Sequence, residues 1–245
     1  MVKNVLTDKL SEPLAGATMA KVDVDVAEGN LTIDKLADGE QLLVSGTLQY
    51  VENQGLPTRS VNVSNGHATL TLRARGTGRP WFRFPWSACN GGTDWQIHLN
   101  PNVQSDIVAR SGGGNVKLNL AGMTLTHVAA DTGGGNLDVV LPDHAEDLRV
   151  DARTGGGTVT VQIGCGITGS STVHAHTGAG NVDVQIPSGL SARIHASSGL
   201  GKVIVDPQFN QTDKHTYQSS DFDRAANKVE LTVDSGAGTV RVNTR

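Results

Sequence analysis

Residues 171–186 read STVHAHTGAGNVDVQI, and this stretch decides the fold. Apolar and polar residues alternate on both sides of the paired glycines Gly178 and Gly180. Such alternation is typical of short strands that each bury one face. Gly180 stands where a sharp corner needs a positive φ, which glycine adopts at little cost. The stretch therefore predicts a strand, a corner and a second strand.

This pattern occurs six times, which predicts the architecture of the whole chain. The segments cover residues 106–120, 127–141, 148–163, 171–186, 192–206 and 229–244, and their first glycines are 21, 22, 23, 21 and 37 residues apart. Alanine recurs three positions before the first glycine, at Ala109, Ala130, Ala152, Ala175 and Ala196. A repeat this short cannot bury its apolar face alone, so the repeats must stack. We expect an all-β, single-stranded β-solenoid (β-helix-like) with repeats of 21–23 residues. A sandwich of antiparallel hairpins is the alternative, but hairpins require no columns at constant offset.

Residues 1–100 are less regular and also rich in predicted strands. The segment AKVDVDVAEGNLTIDKL (residues 20–36) alternates cleanly and bends at Gly29. We interpret this region as earlier, degenerate coils or as a β-rich cap. The predicted division is therefore an N-terminal region 1–100 with an aromatic segment at 79–95, and repeats over 101–245 with an insertion at 206–228.

Composition excludes several classes of function. Lys plus Arg is 20 and Asp plus Glu is 24 in 245 residues, a balance that argues against nucleic-acid binding. No apolar run approaches about 18 residues, so no transmembrane segment is predicted. The first twenty residues lack the apolar stretch of a secretory signal, which favours a cytoplasmic location, with cell-envelope association as the alternative. No cofactor is predicted, because phosphate-loop and dinucleotide fingerprints are missing from the glycine-rich corners.

The aromatic segment and a group of histidines are the candidate sites. The proposed binding residues, interleaved with prolines, are Trp81, Phe82, Arg83, Phe84, Trp86 and Trp95. They form either a hydrophobic plug or an exposed contact surface, since Trp, Phe and Arg are common at binding hot spots. His174 and His195 share one column and His176 follows on the same face, so the three could bind zinc or copper if their strands are adjacent. Three exposed histidines on a polar face are the simpler interpretation.

A second outward column alternates in charge. It runs Arg110, Asp131, Arg153, His176, Ser197 and Asp234. Alternating charge offsets repulsion between neighbouring strands. The polysaccharide-cleaving β-helix enzymes gather acids and bases on one face, which makes this column the nearest match to a catalytic arrangement.

The repeated T/S-G-x-G-N-φ-x-φ pattern, in which φ marks an apolar residue, resembles the bacterial toast-rack family of β-strand-repeat proteins. Such proteins are often named "putative adhesins" or domains of unknown function. Residues 20–50 also resemble the N-terminal toast-rack module of cell-envelope-stress proteins. The resemblance implies the fold but no activity, because the family has no catalytic motif to carry over.

We therefore expect a non-enzymatic interaction or scaffold module of the adhesin type. Its partner would be a protein, a glycan or another copy of the chain. The final repeat ends at TVRVNTR (residues 239–245), and an uncovered last coil would favour a homo-oligomer or end-to-end assembly. A carbohydrate-active β-helix enzyme is the alternative, and it should gather carboxylates beside a groove.

Overall fold

The computed structural model describes residues 4–75 and 93–245, and it is all-β as predicted. A single 3₁₀ turn over Glu52–Gln54 interrupts the strands in these ranges. The first strands are β1 (Val5–Pro13), β2 (Met19–Val26), β3 (Gly29–Lys35), β4 (Leu42–Val51), β5 (Thr58–Ser64), β6 (His67–Arg73), β7 (Thr93–Leu99), β8 (Gln104–Ser111), β9 (Val116–Asn119), β10 (Leu125–Thr132), β11 (Leu137–Val140) and β12 (His144–Glu146). They are followed by β13 (Arg149–Gly156), β14 (Val159–Gln162), β15 (Gly166–Thr168), β16 (Ser170–Ala179), β17 (Val182–Ile186), β18 (Ser191–Leu200), β19 (Val203–Val205), β20 (Asn210–Asp213), β21 (Thr216–Gln218), β22 (Lys228–Ala237) and β23 (Val240–Thr244).

Two open, mixed sheets contain almost all of these strands. Sheet A has the order β1-β4-β7-β3-β9-β11-β14-β17-β23-β19, and sheet B has the order β20-β21-β18-β22-β16-β13-β10-β8-β2-β6-β5. Each repeat gives one strand to sheet B and the next strand to sheet A, and repeat strands pair in parallel. The short strands β12 and β15 form a separate parallel pair.

The predicted columns pair residue by residue across the repeats. In sheet B, Ala130 lies opposite Ala152, which in turn lies opposite Ala175. These alanines and the flanking valines are buried in one continuous core between the sheets. The alternation of the sequence therefore identified the inward face of both strands correctly.

The corners have a repeated chemistry of their own. Gly180 adopts φ 139°, and a Cβ atom there would lie 2.0 Å from the carbonyl oxygen of Gly157 in the neighbouring repeat. The Thr177 hydroxyl, just before this corner, donates to the same carbonyl at 3.0 Å. On the outer side, the Asn136 amide N–H donates to the Asn115 side-chain oxygen at 2.9 Å. The recurring Thr or Ser and Gly, with Asn after the corner in three of the six repeats, thus form a ladder of bonds between neighbouring corners.

The N-terminal region adds two further units to the same sheets. Strands β2 and β3 pair in parallel with β8 and β9, so residues 19–35 form a repeat with its corner at Gly29. Strands β6 and β7 pair in parallel with β2 and β3 on the other side. Both sheets therefore continue across residue 100, and the division of the chain at that residue stays a prediction.

The order of the last two repeats differs from the expected one. Strands β22 and β23 of the final repeat lie between the fourth and fifth repeats, and β18 and β19 lie at the end. The last coil is therefore covered on both sides, contrary to the expectation from TVRVNTR. Every repeat presents the same apolar columns, so the final repeat can pair with the fourth repeat as well as with the fifth. The insertion at 206–228 is long enough for the chain to return to the position between them.

That insertion covers part of the end of the stack. Its strand β21 extends sheet B by pairing antiparallel with β18, and β20 pairs with β21. Phe209 and Phe222 are buried. The Arg193 guanidinium stacks 4.2 Å from the centre of the Phe222 ring. Phe209 packs in the core between the sheets, whereas Phe222 is buried apart from that core, against Arg193 and Lys228.

Candidate functional site

An open depression of about 580 Å³ lies on the outward face of sheet B, across strands β8, β10 and β13. Three consecutive repeats line it. Val108 and Ala129, which are in register, form a floor of short apolar side chains. Longer charged side chains stand on both sides of this floor and at its end: Asp106, His127 and Arg149, then Arg110, Asp131 and Arg153, and finally Asp151. The difference in side-chain length between the columns creates the depression.

Asp151 is the centre of an ion-pair network at one end of the depression. Its side chain is 15% exposed and lies 3.3 Å from Arg149 Nε, 3.3 Å from Arg153 Nη2 and 3.3 Å from His174 Nδ1. His127 Nε2 is 3.9 Å away. The carboxylate thus connects charged side chains from three neighbouring strands, and the two arginine side chains remain more than half exposed.

The other acids of the depression differ in their partners. Asp106 accepts from His127 Nδ1 at 2.9 Å. Arg110 turns away from the next repeat and pairs with Asp23 at 3.0 Å. Since Arg110 and Arg153 are engaged elsewhere, Asp131 between them has no ion pair within residues 4–75 and 93–245. Its exposed carboxylate is available to a ligand.

The charges of the depression balance. Three aspartates (Asp106, Asp131, Asp151) stand beside three arginines (Arg110, Arg149, Arg153). Guanidinium groups only donate hydrogen bonds and carboxylates only accept them, so the two types together match a ligand with many hydroxyl or amide groups. A highly charged ligand would meet as much repulsion as attraction.

The structure separates the histidines of the predicted metal site. His174 and His176 lie on the outward face of β16, as expected. Strand β22 intervenes, however, so that His174 and His195 both lie opposite Thr232 and are two strands apart. His195 instead lies near His215, with ring centres 6.0 Å apart. The assumption that these strands are adjacent was wrong, because the final repeat is inserted between them.

No three His, Cys, Asp or Glu side chains lie close enough to hold a metal ion in the part of the chain that the structure describes. Asp151, in the column of His174 one repeat earlier, is engaged by the basic groups around it. Three-histidine coordination stays a prediction for which this arrangement offers no support.

The aromatic candidates have different outcomes. Trp81, Phe82, Arg83, Phe84 and Trp86 lie outside the described residues. Trp95 is on β7, where its side chain is 1% exposed and its indole N–H donates to the Gln49 carbonyl at 2.8 Å. Trp95 is therefore a core residue and does not contribute to an exposed contact surface.

The sequence pointed to one wall of the depression and missed its floor. The alternating column with Asp131 and Arg153 was recognised, and the structure places these two residues opposite each other. The sequence signal for the depression lies in the neighbouring outward column. In that column Val108 and Ala129 stand where later repeats have longer polar residues. Without known strand neighbours, that change in side-chain length could not be assigned to one place.

Comparison with known proteins assigns the chain to a protein family. The family model described as the N-terminal domain of toast_rack, DUF2154, matches residues 2–162. The chain belongs to the toast-rack family. The matched range includes the strands that line the depression.

A solved structure of similar fold aligns over nearly the whole toast-rack chain. A "putative cell adhesion protein" from Clostridium sporogenes has a TM-score of 0.68 at 19% identity, covering 99% of this chain and 100% of that one. A "putative adhesin" from Bacteroides fragilis aligns over 99% of this chain and 98% of that one, at 11% identity and a TM-score of 0.33. A search of curated proteins gave no match. At 19% identity, the similarity to the Clostridium protein supports the fold alone. No helix among the described residues has the length and apolar character needed to cross a membrane.

Proposed function

We propose that this toast-rack chain is a non-enzymatic scaffold of the adhesin type, and that its repeats stack as the coils of a β-solenoid. Its ligand-binding surface is the depression on sheet B. The observation that carries the proposal is the row of charge-balanced side chains, partly ion-paired through Asp151, over an apolar floor across three consecutive repeats. The Clostridium protein is named a "putative cell adhesion protein", which agrees with such a role.

The ligand class follows from the chemistry of the depression. A neutral glycan chain presents hydroxyl groups that both donate and accept, so it can use Asp131 and the neighbouring guanidinium groups together. The depression is open and shallow, which suits an extended chain rather than an enclosed small molecule. A polar protein surface is the alternative ligand, and it would leave the parent without binding on a glycan array.

Two aspartates of one repeat offer a matched test. Asp131 points outward from sheet B on β10, and Asp138 points outward from sheet A on β11; both are exposed. We expect Asp131→Ala to weaken binding on a neutral-glycan array about tenfold or more, since a hydrogen bond to a charged group contributes about 1.5–3 kcal/mol. Asp138→Ala should bind like the parent. Equal binding by both variants, or no glycan binding by the parent, would contradict the proposal.

A carbohydrate-active enzyme is the second candidate, because three carboxylates line one depression. They belong to three strands and three different columns, and Asp106 and Asp151 are ion-paired. Glycosidases use a pair of facing carboxyl groups. Release of reducing ends from a bound glycan, abolished by Asp131→Asn, would establish the enzyme; we expect binding without release.

The location and assembly of the chain are part of the same proposal. An adhesin-type scaffold would act at the cell envelope, which cell fractionation with an antibody to the chain can test. Self-association, as a homo-oligomer or end to end, stays a prediction, and light scattering over a concentration series is its measurement.

A further inference from the structure

The two ends of the stack differ in how their terminal strands are covered. The first repeat unit ends in β6 and β7, and each receives an antiparallel strand, β5 on β6 and β4 on β7. At the opposite end β21 covers β18, also antiparallel. Strand β19 is the fourth terminal strand, and it pairs with β23 alone.

The uncovered side of β19 presents backbone hydrogen-bonding groups. The Val240 amide donates to the Lys202 carbonyl at 2.8 Å, and the Asp206 amide donates to the Val242 carbonyl at 2.9 Å. In a parallel pair, alternate residues bond to the neighbouring strand. The N–H and C=O groups of Val203 and Val205 therefore point away from β23, where the described part of the chain supplies no partner.

The side chains around this edge are apolar and partly uncovered. Val203 and Val205 are half-buried, whereas Val240 and Val242, their register partners on β23, are fully buried. Ile204, on the outward face, is 43% exposed. The inward column of the core therefore reaches β19 without a strand beyond it.

Two other outer strands, β1 and β20, have the usual protection against pairing. Strand β1 has Asp8, Lys9 and Glu12 and ends at Pro13, and β20 is polar throughout. Charges and proline are the devices that keep sheet edges from pairing with another chain. The three residues Val203-Ile204-Val205 contain neither, and the nearest such residues, Lys202, Asp206 and Pro207, lie before and after the strand.

Sheet B shapes what can occupy this edge. Strands β21 and β20 continue sheet B two strands beyond β18, whereas sheet A stops at β19. At about 4.8 Å per strand, the step is about 10 Å deep. A single extended segment fits into this step beside β19. The intact sheet edge of a second copy, pairing antiparallel with β19, would collide with β20 and β21.

We propose that β19 is an acceptor site for an extended polypeptide segment of a partner, which adds antiparallel and completes sheet A. The antiparallel direction follows from the three covering strands that the chain itself provides. The segment needs apolar residues opposite Val203 and Val205, as Tyr217 of β21 stands opposite Ile194. An acidic residue at its C-terminal side would lie opposite Lys202 on the outward face.

The site is independent of the depression on sheet B, so the two proposals can fail separately. The probe is the peptide acetyl-Ser-Lys-Val-Thr-Val-Glu-Ser-amide, titrated to about 1 mM because short added strands bind weakly. Amide resonances are followed by NMR. We expect shifts confined to residues 200–206 and slower hydrogen exchange at Val203 and Val205. The same peptide with N-methylated valines lacks the required donors and should not bind.

Two variants of the protein test the edge and the direction. Val205→Pro removes an N–H that makes no bond in the described chain, and it should abolish peptide binding while the melting temperature confirms folding. Lys202→Glu should weaken binding of the parent peptide by about two- to fivefold, because the peptide's glutamate would then face a second acidic side chain; parallel addition would place the peptide's lysine there and strengthen binding. The N-methylated control does not depend on the folding of any variant.

Three results would overturn the proposal. They are binding of the N-methylated peptide as well as the parent peptide, shifts outside residues 200–206, and no shift at all. A rise of the mass towards twice 25.6 kDa with concentration, abolished by Val205→Pro, would also overturn it, because a second copy would then occupy the edge.

Discussion

The middle repeats and the repeat at the β19 end have the same sequence pattern, yet they meet different surroundings. In the middle, each strand has a repeat on both sides, and the order in space follows the order along the chain from β8 to β17. At the end, the fifth repeat has the final repeat on one side and unequal cover on the other. The pattern therefore determines which residues point inward, while the neighbours determine how well those residues are buried.

The corner glycines should show the largest effect in the middle of the stack. Gly135 has φ 116°, and a Cβ atom would lie 2.4 Å from the Gly114 carbonyl oxygen. We expect Gly135→Ala to cost about 3–5 kcal/mol, because backbone strain and a clash with fixed backbone add. Chemical denaturation measures this loss.

Gly134 in the same corner is the matched control. A Cβ atom there would have nothing within 4 Å, and its φ is not in the left-handed region. Gly134→Ala should leave the stability nearly unchanged or raise it slightly. Equal losses in the two variants would show that the corner depends on flexibility and not on close approach.

A pair of inward valines compares the middle with the end directly. Val161 on β14 is fully buried, whereas Val205 on β19 is half-buried. We expect Val161→Ala to cost about 2–3 kcal/mol and Val205→Ala about 1 kcal/mol or less, since less apolar surface is lost at the end. Urea unfolding of both variants tests the difference. Equal losses would mean that the β19 end is covered in solution.

These differences also define what the sequence could predict. The inward columns, including Ala152, were predicted correctly because period-two alternation is a local property of each strand. The neighbours of β18 were not predictable, because repeats with equal columns are interchangeable as partners. The depression depends on which short residues, such as Val108 and Ala129, are placed side by side, so it shares that limitation. For Trp95 the sequence left a hydrophobic plug and an exposed contact surface both open, because burial of an aromatic side chain depends on strand neighbours that the sequence does not give; the structure shows it buried.

Asp206 gives a smaller, pH-dependent effect at the end of the stack. Hydrogen bonds from the Gln208 amide at 3.1 Å and from the Thr244 amide at 3.3 Å hold the pKa of its carboxyl below the usual 3.8, against a smaller opposing effect of burial. A carboxyl with a lowered folded-state pKa stabilises the fold above its unfolded pKa and loses this contribution as the pH falls through the folded-state pKa.

The stability difference between the parent and Asp206→Asn should therefore shrink as the pH falls below about 4. Asp138→Asn, an exposed change in the middle of sheet A, is the control. Thermal melting at a series of pH values measures both. A constant difference between parent and Asp206→Asn across the series would contradict the assigned hydrogen bonds.

Zinc should have the smallest effect, and it tests the order of the repeats. If β18 followed β16 directly, His174 and His195 would lie on adjacent strands about 4.8 Å apart, close enough to share one ion with His176. With β22 between them, their backbones are about twice that distance apart, and Thr232 occupies the intervening position. A ligand that binds the folded state raises the melting temperature, and the rise grows as its free concentration exceeds its Kd. We therefore expect no change in melting with zinc for the parent and for His174→Ala. A rise that His174→Ala and His195→Ala both abolish would show that the two strands are neighbours, and the final repeat would then belong at the end of the stack, where its position along the chain predicts it.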